Sequence, residues 1–358
     1  MHLLIVIGTR PNFIKVTQFR RVLQQHPHCK LTLVHTGQHY DRRMSEVFFD
    51  QFDLRPDHVL ELHPGSAGMQ FAHMTRELVA LMERVKPDVV LVPGDVNSTL
   101  AGALAAQRLG IPLGHLEAGL RSFDRSMPEE VNRILVDQLS DHHFVTEASG
   151  LTHLENEGLD RQNNVHFVGN TMIDTLVHFA DQIERSPILD DLGLTRETPY
   201  HLLTMHRPAT VDTREGCAFV VALLRRLTDA AAVVFPIHPR TRKNMEQFGL
   251  ADALAMPGLK LTPPLDYFAF QRLVANAAAV VTDSGGIQEE TTFRQVPCVT
   301  LRPNTERPST VDLGTNQLLT SFDVDAVVNA VLEPKEGSVP PLWDGAATER
   351  VVDALLHL

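Results

Sequence analysis

Cysteine is scarce in this chain. Cys29, Cys217 and Cys298 stand far apart, without the paired spacing of a metal site. That excludes a zinc-held or disulfide-held scaffold and fits the reducing cytoplasm. There is no low-complexity stretch and no apolar run long enough to span a bilayer, so no membrane partner is expected. The opening Met1-His-Leu-Leu-Ile-Val-Ile-Gly8 lacks the basic start of a signal peptide and reads as a first strand. Positive charge is also in deficit: 32 Lys and Arg face 44 Asp and Glu, for a net charge of -12. Nucleic acid is therefore excluded as a partner, and any bound phosphate must be held by a few local cations and backbone amides. The three spaced glycines of a dinucleotide fingerprint are missing after the first strand, so a nicotinamide cofactor is not expected.

What is present is alternation. At 358 residues the chain has room for two domains. Strand-like apolar runs (Leu3–Ile7, Leu31–His35, Val89–Val92, Leu113–Leu116, His143–Val145) alternate with helical periodicity over Asn12–Leu23, Met69–Arg84 and Ser98–Leu109. Val165-His-Phe-Val-Gly-Asn170 closes that half. The pattern restarts with Leu202–Met205, Val233–Ile237, Val280–Thr282 and Cys298–Leu301. The fold class is α/β, with two doubly wound parallel-sheet (Rossmann-like) domains at 1–170 and 171–358. The last helix is free to pack back on the first domain. Ligands of such sheets bind beyond the carboxyl ends of the strands, which predicts a site in the cleft between the domains.

The most informative stretch is Val281-Thr-Asp-Ser-Gly-Gly-Ile-Gln-Glu-Glu290. A buried strand ends there, and a Ser284-Gly285-Gly286 turn opens a helix whose first amides are unpaired at the positive end of its dipole. Neither glycine has a Cβ to keep a diphosphate away. Glu289 and Glu290, one turn on, are placed to accept ribose hydroxyls. The first strand ends in Gly8-Thr-Arg-Pro-Asn-Phe-Ile-Lys15, which offers Arg10 and Lys15 as a cationic clamp for phosphate. Asp95 follows the third strand beside Ser98, a candidate helix cap. Glu117 follows the fourth, among apolar residues and glycines, and needs a paired cation, for which Arg121 is a candidate. Glu129 and Glu130 open a helix behind Pro128, where dipole and capping preferences alone would put them. Each carboxylate singly also fits a structural role, but Asp95, Glu117 and Glu129 together make an acid/base set. The second half adds His206-Arg207 and His238, chosen among 18 histidines by position alone. Asn304-Thr-Glu306-Arg307-Pro308 offers a further acid-base pair.

Together these segments resemble the non-hydrolysing UDP-N-acetylglucosamine 2-epimerase family. The matching set is Gly8-Thr-Arg-Pro11 with Lys15, Gly94-Asp95, His115-Leu-Glu-Ala-Gly-Leu-Arg121, Pro128-Glu-Glu-Val-Asn-Arg133, Gly169-Asn-Thr-Met-Ile-Asp174, His206-Arg207, Asp283-Ser-Gly-Gly-Ile-Gln-Glu-Glu290 and Thr305-Glu-Arg-Pro308. It runs in family order over nearly the whole chain. The resemblance implies a glycosyltransferase-B type architecture and reversible conversion of UDP-N-acetylglucosamine to UDP-N-acetylmannosamine. It also implies a cytoplasmic homodimer serving polysaccharide biosynthesis, with a UDP-sugar as substrate and neither metal nor cofactor. By the same resemblance Arg10, Ser284, Gly285 and Gly286 hold the diphosphate with Arg307 nearby, Glu290 holds the ribose, and Phe270 lies against the uracil. Lys15, Arg133 and His238 join the substrate contacts, and Asp95, Glu117, Glu129 and His206 are catalytic.

The chain departs from the family at Asn12, where many members carry Glu, and after His206-Arg207, where Pro208-Ala-Thr-Val-Asp replaces a second arginine and an acid. The loop from Arg121 to Pro128 is short. In some bacterial members the second region, with residues matching Gln38, His39 and His238, forms a regulatory site, so allosteric activation is not predicted. Epimerisation of another UDP-2-acetamido sugar, and a hydrolysing epimerase, remain open alternatives.

Overall fold

The computed structural model describes residues 1–38, 48–62, 65–160 and 164–357; His39 lies outside them. The chain divides into two compact units, Met1–His178 with Pro341–Leu358, and Phe179–Pro340.

The first unit is built on a seven-stranded sheet in the order β3-β2-β1-β4-β5-β6-β7. Its strands are β1 (His2–Ile7), β2 (Lys30–His35), β3 (His58–Val59), β4 (Val89–Pro93), β5 (Leu113–Leu116), β6 (His142–Val145) and β7 (Val165–Phe167). The pairings of β1 with β2 and with β4 are parallel, with His2 opposite Lys30 and Leu3 opposite Val89. Leu3 to Ile7 are buried without alternation, as expected of a strand covered on both faces. Each such side chain contributes roughly 1.5–3 kcal/mol by leaving water.

The helical periodicity over Asn12–Leu23 is broken in the structure into helices Arg10–Ile14 and Phe19–Leu23. Between them the backbone tightens: Val16 N–H donates to Phe13 O and Phe19 N–H to Val16 O, each three residues back. Ser98 does not cap its helix. The cap position of Asn97–Leu109 is Val96, and the Ser98 hydroxyl instead meets Thr36 Oγ1 at 2.6 Å.

The Gly169–Asp174 motif secures the end of the chain. Gly169 has φ +85°, and a Cβ there would lie 2.0 Å from Leu342 O. Asp174 accepts the N–H groups of Ala347 and Thr348 at 3.1 and 2.5 Å, capping the helix Ala347–Leu356. Trp343 donates its indole N–H to Thr146 O at 2.9 Å.

The second unit holds a six-stranded sheet, β10-β9-β8-β11-β12-β13. Its strands are β8 (Tyr200–Thr204), β9 (Ala232–Pro236), β10 (Leu259–Thr262), β11 (Ala279–Thr282), β12 (Cys298–Leu301) and β13 (Asn316–Leu319). The two edge strands, β10 and β13, are half-buried and lack the unbroken apolar pattern of the inner ones. Thr204 and Thr282 stand opposite each other and share a 2.7 Å hydroxyl hydrogen bond. In both sheets the strand order reverses at the middle, between β1 and β4 and between β8 and β11, where open α/β sheets place their ligands. No described helix is long and apolar enough to cross a membrane.

Candidate active site

In the first unit the polar residues gather on the loops after β1, β4 and β5. A Cβ on Gly8 would lie 1.8 Å from Ser98 Oγ, so only glycine lets the first loop pass. Asn12 then ties that loop to its neighbour. Its Oδ1 accepts from Thr9 Oγ1 at 3.0 Å and its Nδ2 donates to Pro93 O at 3.0 Å. A glutamate there has no N–H to give Pro93, so this departure is part of the local architecture. Arg10 stays exposed, its guanidinium 4.1 Å above the Phe48 ring.

Lys15 is turned inward. Its Nζ lies 2.6 Å from Glu117 Oε2, and both side chains are buried. Lys15 is thus the cation that Glu117 requires, and the expected Glu117–Arg121 pair does not form. Arg121 pairs with Asp137 at 2.6 Å and donates two 2.8 Å hydrogen bonds to Glu157. Glu117 Oε1 has no hydrogen-bond partner among the described residues. The Glu117 backbone has φ +70°, a left-handed conformation that side-chain-bearing residues adopt at a cost and that clusters at functional sites.

Gly94, immediately before Asp95, packs against the same group. A Cβ on it would meet Lys15 Nζ at 2.9 Å, Asn12 Nδ2 at 3.3 Å and Glu117 Oε2 at 3.6 Å. Asp95 is half-buried and ion-paired to Arg133, and its carbonyl accepts from Asn132 Nδ2 at 2.9 Å. Arg133 also reaches Glu130 at 3.2 Å. Glu130 accepts the N–H and hydroxyl of Ser122 at 2.8 Å each, and the N–H of Phe123 at 3.0 Å. The acidic pair therefore divides. Glu130 is buried and pins the turn after Arg121, while Glu129 is exposed on the first turn of helix Pro128–Leu139.

In the second unit the site lies on the loops after β8, β11 and β12. Asp283, at the end of β11, was not singled out from the sequence, and it is the brace of this group. One carboxylate oxygen accepts the N–H groups of His206 and Arg207 at 2.9 and 2.8 Å; the other lies 2.9 Å from His206 Nδ1. Burial alone would raise the Asp283 carboxyl, but His206 and these two amides hold it below the ordinary range. With Nδ1 committed to Asp283, His206 is left with Nε2 to offer a ligand. The His238 ring lies 5.6 Å from that of His206. Burial and the nearby charges of His206 and Arg240 lower its pKa.

Ser284 occupies the cap position of helix Gly285–Arg294 without making a side-chain cap bond. The first amides of that helix are unserved by a cap, as the Ser-Gly-Gly turn predicts. A Cβ on Gly285 would lie 2.9 Å from Arg307 Nη1 and 3.2 Å from Glu306 Oε1, so cation, carboxylate and bare helix start are adjacent. Glu289, read from the sequence as a ribose acceptor, is instead buried against Arg307, with Oε2 2.7 Å from Nε. Arg307 also pairs with Glu306, which holds Arg302 at 2.8 Å. Arg302 had no sequence signal beyond its place one residue after β12. Glu290 is buried within the field of Arg294. Phe270, on helix Tyr267–Asn276, is half-buried against the apolar cluster that includes Leu273 and Ile287.

Two doubly wound parallel sheets, with carboxylates on the strand ends of one and an uncapped helix start on the other, define a protein of glycosyltransferase-B type fold. A sequence profile of the UDP-N-acetylglucosamine 2-epimerase family matches residues 21–356. The chain belongs to that family, whose members are isomerases of nucleotide sugars. It is 40% identical over 358 residues to the UDP-N-acetylglucosamine 2-epimerase of Methanococcus maripaludis, covering 98% of this chain and 96% of that one. It is also 40% identical over 322 residues to the UDP-2,3-diacetamido-2,3-dideoxy-D-glucuronate 2-epimerase of Pseudomonas aeruginosa, covering 89% and 88%. The crystal structure of Methanocaldococcus jannaschii UDP-GlcNAc 2-epimerase with UDP-GlcNAc and UDP superposes with a TM-score of 0.90, at 37% identity over 100% of both chains.

Proposed function

We propose that this protein interconverts UDP-N-acetylglucosamine and UDP-N-acetylmannosamine by eliminating UDP and adding it back. The observation that carries this reading is the Lys15–Glu117 pair. A buried carboxylate is held on one oxygen, has no partner for its other oxygen among the described residues, and sits beside the Asp95 loop. C2 of the sugar has no adjacent carbonyl, so its proton is not acidic at the outset. Breaking the C1–O bond, with the electron pair leaving on UDP, gives oxocarbenium character that acidifies C2. One carboxylate takes the C2 proton and the product is a 2-acetamidoglucal. Return of the proton to the opposite face and re-addition of UDP at C1 give the epimer. Asp95, Glu117 and Glu129 supply this acid/base set. Ser284, Gly285, Gly286, Arg10, Arg307 and His206 stabilise the departing diphosphate, and Glu290 takes the ribose.

Proton NMR of UDP-N-acetylglucosamine with enzyme in deuterated water tests the reading. Deuterium at C2 with UDP still attached is the expected result. Free sugar would indicate hydrolysis, and absence of exchange would overturn the proposal. The Pseudomonas aeruginosa relative supports a second reading, in which the sugar is a diacetamido uronic acid. Parallel turnover of both UDP-sugars decides between them.

A further inference from the structure

The residue between the two carboxylate loops of the first unit is His115, on β5 and fully buried. Its Nδ1 lies 2.5 Å from Asp137 Oδ1 and its Nε2 lies 2.8 Å from Gly94 O. A carbonyl oxygen only accepts, so Nε2 carries hydrogen. Asp137 only accepts as well. Its second oxygen is taken by the guanidinium of Arg121 at 2.6 Å and the N–H of Gly119 at 3.1 Å, contacts that require the ionised carboxylate. Burial opposes that charge, and the Arg121 guanidinium beside it offsets the cost. His143 itself gives its Nε2 to the Asp137 carbonyl at 2.8 Å. Nδ1 of His115 therefore carries hydrogen too.

Both loops braced this way carry left-handed backbone. Gly94, at φ +70°, immediately precedes Asp95. Glu117, also at φ +70°, follows His115 by two residues, and Gly119 at φ +79° is held by the same Asp137. We propose that His115, doubly protonated, is a positioning residue that sets the Asp95 loop against the Glu117 loop. It touches no substrate and acts through the Gly94 carbonyl on one side and Asp137 on the other. The proposal rests on the assignment of Asp95 and Glu117 as the acid/base set.

His115→Gln can serve one of the two acceptors but not both. It should lower kcat roughly ten- to a hundredfold by misplacing the carboxylates, leaving KM and the UDP Kd measured by calorimetry within about threefold. Long-range nitrogen–proton NMR of the parent protein, with the His115 resonances assigned by their loss in this variant or in His115→Asn, should show both ring nitrogens bearing hydrogen at neutral pH. A parent spectrum with one bare ring nitrogen overturns the proposal, and so does a folded His115→Gln with kcat within about twofold of the parent. A variant whose UDP binding falls in step with kcat makes His115 a folding residue and also overturns it. Should His115→Gln prevent folding, His115→Asn supplies the assignment and the parent spectrum still decides. A parent that shows no C2 exchange defeats the functional reading instead, with the charge state of His115 read independently.

Discussion

The two units solve opposite problems on the same scaffold. In the first, the strand-end carboxylates are held by partners from distant segments, Glu117 by Lys15 and Asp95 by Arg133, and Asp137 on helix Pro128–Leu139 is held by His115 and Arg121. In the second, the group assigned to the diphosphate in the proposed function is backbone, the uncapped start of helix Gly285–Arg294, and the side chains around it brace one another. Proton transfer needs a carboxylate fixed to within a fraction of an ångström, which demands cross-linked side chains. Diphosphate binding needs bare amides and room, which glycine provides by lacking a side chain.

The contrast is broken most sharply at the carboxylates. Glu117→Gln, Asp95→Asn and Glu129→Gln are each expected to lower kcat by roughly two to four orders of magnitude. UDP affinity by calorimetry should stay near the parent value, and near-normal turnover in any of the three removes that residue from the set. Glu130→Gln makes the control: it should lower the melting temperature, because it weakens the buried bonds to Ser122, Phe123 and Arg133. A stable Glu130→Gln with lost turnover would exchange the roles assigned to the two neighbours.

The second unit should fail differently. Gly285→Val places a branched side chain where even a Cβ would lie 2.9 Å from Arg307 Nη1, so calorimetry should detect no UDP binding. Binding as tight as the parent's would make the turn merely structural. Glu290→Ala is milder, costing on the order of 1.5–3 kcal/mol, or about ten- to a hundredfold in UDP affinity, with turnover of bound substrate less affected.

A further expected effect concerns stability. The folded-state pKa of Asp137, about 2, lies below the unfolded value of about 3.9. Its contribution is therefore complete above about pH 4 and is lost as pH falls through 2, a difference on the order of 2–3 kcal/mol. Unfolding titrations of the parent between these limits should show that loss, and Asp137→Asn should flatten it. Equal slopes for the two proteins would show that Asp137 is not the group titrating.

Much of the site was legible because its chemistry is local. A strand end followed by Ser-Gly-Gly implies bare helix amides from covalent structure alone, and the cap position of Ser284 bears this out. Glu129 and Glu130 are indistinguishable by such reasoning, since both satisfy the helix dipole; only packing separates the buried one from the exposed one. Asp283 was passed over because its role depends on β8 lying beside β11, which brings His206 and Arg207 to it from 77 and 76 residues away.

By itself, then, the sequence determined where strands end, which turns open helices and which residue types crowd those turns, since hydrophobic period and glycine chemistry act over a few residues. Tertiary structure decided who pairs with whom. Glu117 bonds to Lys15, 102 residues away, in place of Arg121 four positions on, because the sheet order sets β1 beside β4 and β4 beside β5. Strand order is a long-range outcome of packing, and no local pattern encodes the distance between two loops it brings together.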